Sequence, residues 1–155
     1  EFLDYNGLIK KAAALMRGHR HPVSNLANLS ALLWQYMPDI NWAGAYINVD
    51  GTLVLGPFQG KPACVKIEFG QGVCGKAAKQ RQTLLVQDVH AFPGHIACDS
   101  ASRSEMVAPV ITGEKLVAVL DVDSPLPGRF TAEDGDFLTR LAQLIAENCD
   151  WSRLA

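Results

Sequence analysis

The segment Val117-Ala-Val-Leu-Asp-Val-Asp123 sets two carboxylates two residues apart in a run of β-forming residues. Strand side chains alternate between faces, so Asp121 and Asp123 share one face while Leu120 and Val122 share the other. Two acids held close and partly desolvated push one pKa upward, which gives a carboxylic acid able to donate a proton near neutral pH. Such a pair also suits a substrate ammonium group. A strand end running into solvent, or a cap on the turn at Ser124-Pro125, fits the same pattern. Cysteine is the second residue type that carries chemistry. The loop from Asp88 to Glu105 sets Cys98 among His, Asp, Ser and Arg, surroundings that favour the thiolate, and Cys98 is the best candidate nucleophile. Cys74, in Gly70-Gln-Gly-Val-Cys-Gly75, falls near the start of a short helix, whose dipole also lowers a thiol pKa. Cys64 opens a strand. Cys149 stands at core spacing from Leu141 and Ile145 and reads as structural.

A third pattern is aromatic. On the strand 40–48, Trp42, Gly44 and Tyr46 lie together, and Gly44 between two rings leaves room for a ligand. Such a wall suits a methyl-thioether group, although core packing is the more ordinary reason for the pattern. Zinc has weaker support. His90 and His95 have a gap found in some zinc motifs, but no short Cys-x-x-Cys knuckle accompanies them. A Cys–His hydrolase needs fewer cysteines than this chain has.

The elements that would position these residues follow from periodicity and turn chemistry. Helices are expected over residues 3–17 and 22–37, the second with Leu26, Leu29, Leu33 and Met37 on one stripe and Pro38 at its end. Strands are expected over 40–48, 52–56, 64–69, 83–87, 106–111 and 115–123, with Asp50-Gly51 and Thr112-Gly113 as hairpin turns. A short helix from Gly72 to Gln80 interrupts them. Thr131-x-x-Asp134 resembles a capping box with Asp in place of Glu, and it opens a terminal helix carrying Phe137, Leu141, Leu144 and Ile145. Residues 88–104 are too polar and Gly/Pro-marked for a core element, and loops of that length are often functional. The expected architecture is α+β: one mostly antiparallel sheet of five or six strands, covered mainly on one side by helices from both chain ends.

Composition narrows the partners. With 155 residues and 48% apolar content, the chain supports one domain with a real core. Fourteen basic and 16 acidic residues leave a net charge of −2, so nothing points to nucleic acid or an anionic membrane. No apolar stretch is long enough to cross a bilayer, and no secretory signal pattern is present, so the expected location is cytoplasmic. Four cysteines are few for a secreted disulfide scaffold, and in a reducing compartment they are expected as thiols at rest.

Several segments taken together resemble one family, the free methionine-(R)-sulfoxide reductases, a GAF-domain group. They are Asn41-Trp-Ala-Gly-Ala-Tyr46, Leu55-Gly-Pro-Phe-Gln-Gly-Lys-Pro-Ala-Cys64, Gly72-Val-Cys-Gly75, Asp88 to Ser102, Ser104-Glu105, Val119-Leu-Asp-Val-Asp-Ser124 and Gly128-Arg-Phe130, in order along nearly the whole domain. Pro62 and Met106 vary around the motifs without removing a reactive group. The resemblance implies a single GAF domain over residues 1–155, with N-terminal helices in 3–37, sheet and active-site loops in 40–124 and a C-terminal helix in 131–152. It implies Cys98 as the sulfoxide-attacking thiol, Cys64 as a resolving thiol and Cys74 as a third thiol in disulfide exchange. Glu105, Asp121 and Asp123 would line the substrate pocket and supply its acid, and Trp42 and Tyr46 would form its aromatic wall. The same resemblance implies free methionine sulfoxide as substrate, electrons from a thioredoxin-like protein, no metal or organic cofactor, and a homodimer. A GAF module that only senses a small ligand would have the same fold.

Overall fold

The computed structural model describes residues 4–95 and 101–154. Two helices lead, α1 (Tyr5–Met16) and α2 (Pro22–Tyr36), the second with Pro22 at its first position, where a missing N–H costs nothing. Strands β1 (Trp42–Val49), β2 (Thr52–Gly60) and β3 (Lys66–Glu68) follow, then helix α3 (Gly72–Gln80) and strand β4 (Leu84–Val86). The long strands β5 (Ser104–Thr112) and β6 (Lys115–Ser124) precede the terminal helix α4 (Ala132–Asn148). The strands form one sheet in the order β3-β2-β1-β6-β5-β4, and every neighbouring pair is antiparallel.

Each face of this sheet has its own core. Ala43, Ala45, Met106, Ala108, Ala118, Leu120 and Val122 pack against α1, α2 and α4. Small residues on the strands let three helices approach closely, and the large side chains come from the helices: Leu26, Leu33, Phe137, Leu141 and Ile145. The opposite face is covered too, which the expectation of a mainly one-sided sheet understates. There Trp42, Tyr46, Leu53, Ile67, Val107 and Val119 meet Val73, Cys74, Ala77 and Ala78 of α3. The capping box forms as expected: Thr131 accepts from the Asp134 amide, and the Asp134 carboxylate accepts from the Thr131 amide at 2.7 Å. That carboxylate also pairs with Arg129 at 3.2 Å and accepts from the Tyr5 hydroxyl, tying α1 to the start of α4.

Element types match the sequence reading, and most differences are at boundaries. The turn Asp50-Gly51 has positive φ at both residues, as a type I′ hairpin requires. The second hairpin turns one residue later than expected: Thr112 pairs with Lys115, so Gly113-Glu114 makes the turn, with positive φ at Gly113 alone. Strand β5 begins at Ser104 rather than Met106, which moves Glu105 from loop to sheet. Strand β3 starts at Lys66, so Cys64 precedes it instead of opening it. The polar segment 88–104 does contribute to the core, because a short 3₁₀ turn over Val89–Ala91 buries Val89 completely.

Candidate active site

The site stands on the sheet face that packs against α3. Strand alternation and antiparallel register together decide which side chains meet there. Asp121 pairs with Gly44 on one side and Val107 on the other; Asp123 pairs with Trp42 and Glu105. Residues directly opposite in a ladder project to the same face. Glu105, Asp121, Asp123, Trp42 and Tyr46 are thereby brought to one surface, and all five line a single pocket with Val73, Cys74, His95 and Ser102. The sequence-predicted acids and aromatic residues therefore converge. Cys98 lies outside the described residues. The chain on either side of it reaches the same pocket, since His95 and Ser102 are both in the lining.

The acids are deeply buried, Glu105 at 8% and Asp121 at 5% exposure. Burial, then the charges of Asp121 and Asp123, push the Glu105 carboxyl well above the ordinary carboxylate range. Asp121 is also raised, by burial, against opposing hydrogen bonds from Glu105, Cys74 and Asp123. Three like groups this close favour a shared proton, the acid that the strand pattern predicted. One oxygen of Asp121, Oδ1, is buried without a hydrogen-bond partner.

Cys74, the third residue of α3, is 3% exposed, and its sulfur lies 3.9 Å from Glu105 Oε2. The expectation that the helix start would lower its pKa is overturned. Burial comes first and the neighbouring carboxylates add to it, so the thiol is pushed far up and is held protonated. The partial charge of a helix end is small beside full desolvation and three acids. Cys64, expected as a thiol at rest, is disulfide-bonded, while Cys74 and Cys149 are free. Cys149 is buried in the helical core and accepts from the Asn25 side-chain amide at 3.3 Å.

The aromatic residues do more than line the pocket. Trp42 donates its indole N–H to the Lys61 carbonyl at 3.2 Å, and Tyr46 donates its hydroxyl to the Cys64 carbonyl at 2.9 Å. Two rings of β1 thus hold the segment that carries Cys64. Trp42 stacks between Tyr46 and Phe58, with ring centroids 5.9 and 5.1 Å away. Gly44 does not leave space for a ligand as expected. A Cβ there would lie 2.3 Å from Phe58 Cβ and 2.8 Å from the Pro57 carbonyl oxygen, so glycine permits close approach of β2 at a register shift in the ladder.

Sequence reasoning missed the tethers of the 88–104 loop. Gly72 donates to the Gly94 carbonyl, Lys76 donates to the Pro93 carbonyl and sits over the Phe92 ring, and Val89 bonds Arg103, whose own amide reaches Ser124. His95 entered the sequence reading only as half of a zinc pair, yet it lines the acidic pocket, and burial with the nearby His90 lowers its pKa. Among the described residues, the donor atoms able to share a cation are the sulfur of Cys74 and carboxylate oxygens of Glu105 and Asp121, all within 4.8 Å of one another.

Comparison with known proteins places this geometry. The GAF domain family model matches residues 24–148. The chain is 52% identical over 143 residues to the free methionine-R-sulfoxide reductase of Escherichia coli, covering 92% of this chain and 85% of that protein. It is 44% identical over 150 residues to the protein of the same name from Saccharomyces cerevisiae, with 92% and 83% covered. The structure of free methionine-R-sulfoxide reductase from Neisseria meningitidis in complex with its substrate superposes with a TM-score of 0.93 at 36% identity, covering 99% of this chain and 96% of that one. With matches at 44–52% identity covering 92% of its length, the chain belongs to the free methionine-R-sulfoxide reductase family of GAF-domain proteins.

Proposed function

We propose that this protein reduces free methionine-(R)-sulfoxide to methionine with its own thiols. The observation that carries the reading is the pocket in which Glu105, Asp121 and Asp123 stand beside Cys74 and the aromatic pair. A proton held among those acids hydrogen-bonds the sulfoxide oxygen and makes the sulfur electrophilic. The Cys98 thiolate attacks that sulfur and forms an S–S bond, the protonated oxygen passes to the Cys98 sulfur as the S–O and S–S bonds break, and methionine leaves with Cys98 as a sulfenic acid. The Cys64 thiol then condenses with it, releasing water and forming a disulfide. The hydrogen bond from Tyr46 to the Cys64 carbonyl fixes the chain at that residue. Cys74, protonated and buried, stands in reserve for disulfide exchange.

Two electrons from a thioredoxin-like dithiol restore the thiols by exchange, a recycling step suited to a reducing compartment such as the cytoplasm. No metal or organic cofactor enters the scheme. The ionised carboxylates grip the substrate ammonium, and this favours the free amino acid over a peptide-bonded residue, which lacks that charge. Stereoselectivity for the R epimer rests on the names of the relatives, and a homodimer on the family. The test is to mix the reduced protein with free methionine sulfoxide and count thiols against methionine released. Loss of two thiols per methionine is expected. Saturable binding with an unchanged thiol count would overturn the reading in favour of a ligand sensor.

A further inference from the structure

We propose that Cys74, Glu105 and Asp121 form a binding site for a borderline-soft divalent cation of the zinc and cadmium class, and that its occupancy shuts the substrate pocket. Their donor atoms come from three elements, α3, β5 and β6, so no sequence spacing announces them. The set is one sulfur and two carboxylate oxygens within 4.8 Å, and all three residues are buried. Tetrahedral zinc with ordinary Zn–S and Zn–O bonds sets its sulfur and oxygen donors about 3.6 Å apart. Cys74 Sγ and Glu105 Oε2 stand at 3.9 Å, so a small contraction completes that edge. The second observation is the bare Oδ1 of Asp121, at a residue only 5% exposed. A buried acceptor without a partner is expensive, and a cation is a partner that satisfies it.

The donor set selects the ion. Thiolate favours zinc and cadmium over magnesium or calcium, which take oxygen donors. Binding exchanges protons for metal: the thiol and the shared carboxyl proton leave, and three negative groups in a desolvated site meet one dication. Three protein donors leave a coordination position open toward the pocket, where His95, whose Nδ1 is also buried without a partner, is in the lining. The inhibitory part rests on the proposed function, because the cation occupies the carboxylates that would hold the substrate ammonium.

Cadmium provides a test with a spectroscopic readout. Titrating the disulfide-containing protein with cadmium, in a Cys149→Ser background, leaves Cys74 as the free thiol among the described cysteines. The expected result is an ultraviolet thiolate-to-cadmium absorption that saturates at one ion per chain, is lost in Cys74→Ser, and shifts to at least about tenfold higher cadmium in Asp121→Asn, since even outer-shell partners matter on that scale. Glu105→Gln should weaken the same band should Cys74→Ser fail to fold. Absence of the band, or an unchanged band in these variants, overturns the site. Competitive inhibition of methionine formation by zinc is the second expected result. A cation that binds as described but leaves a working reductase uninhibited overturns the blocking role alone, and a protein without reductase activity that still shows the band refutes the proposed function and not the cation site.

Discussion

The substitution Asp121→Asn keeps the shape of the side chain and removes its charge, so it separates what the acids do for the reaction from what they do to the fold. The oxygens of Asp121 and Glu105 lie within 4.8 Å of each other. Two unit charges at that distance interact by about 3.5 kcal/mol at an effective dielectric constant of about 20. The folded protein either bears that repulsion or holds a proton to avoid it, so the figure sets the order of magnitude of what the pair costs. The pKa values of Glu105 and Asp121 are raised in the fold. A carboxyl raised above its unfolded value contributes stability that is complete below the unfolded pKa, about 4, and is lost as pH climbs through the folded one. Wild type should therefore lose stability relative to the variant between about pH 4 and neutrality. The gap should open to as much as about 3 kcal/mol, or about 6–12 °C in Tm for a chain of this length. Thermal denaturation followed by circular dichroism across that range measures it. Activity should move the other way. Losing one charge-assisted hydrogen bond to the substrate ammonium costs about 1.5–3 kcal/mol, a fall of roughly 10-fold to 150-fold in kcat/KM. A stability gap that is the same at every pH, or a wild type that is the more stable at neutrality, would refute the buried repelling set. Unchanged kcat/KM would remove Asp121 from the reaction.

Cys98→Ser should abolish turnover, and Cys64→Ser should release one methionine per chain and then stall as a sulfenic acid; sustained turnover of Cys98→Ser with thioredoxin present would end the nucleophile assignment. Tyr46→Phe removes the hydroxyl that holds the Cys64 carbonyl, a loss of about 1 kcal/mol, and should slow disulfide formation in single-turnover quench experiments more than it changes substrate affinity. Equal rates in both proteins would show that the bond does not position Cys64. Cys74 in the folded protein should resist iodoacetamide at neutral pH, because burial and the acids keep it protonated, and should react on unfolding; rapid alkylation of the native protein, read by peptide mass, contradicts that. Gly44→Ala drives a methyl into Phe58 and should lower stability by about 1–3 kcal/mol, with an unchanged Tm as the contrary result.

The acidic pair was legible because a strand has only two faces. Once Val117 to Asp123 reads as β, Asp121 and Asp123 must project together, and the structure aligns them with Trp42 and Gly44 through register alone. Glu105 was harder to place. Its neighbours alternate, with Met106 and Ala108 inward and Glu105 and Val107 on the site face, but Ser104 and the polar residues before it mask the start of β5. Cys74 was misjudged for a different reason. A helix start is a local signal read from four residues, whereas its burial under the sheet and its distance to Glu105 depend on pairing across 31 positions of chain. Gly44 repeats the lesson. A glycine between two aromatics looks like an opening, and only the partner strand reveals that the space belongs to Phe58.

One face of one sheet must satisfy two opposing demands. A hydrophobic core there would stabilise the domain more, and the strands supply it wherever Val107, Val119 and Leu53 point. Three acids break that core at its centre, and burial raises the pKa of Glu105 and Asp121, with the charges of Asp121 and Asp123 adding to it at Glu105. The destabilisation and the raised pKa values thus share one origin, because a carboxyl left in water would cost the fold less and would be too weak a base to hold a proton near neutral pH. The opposite face, with three helices over small strand residues, carries the packing that lets the domain tolerate this. Acids moved to the helical face would meet Leu120 and Met106, with the sheet between them and Cys74. The arrangement therefore works only where α3 brings Cys74 down onto the sheet and the segments around Cys64 and His95 close over it.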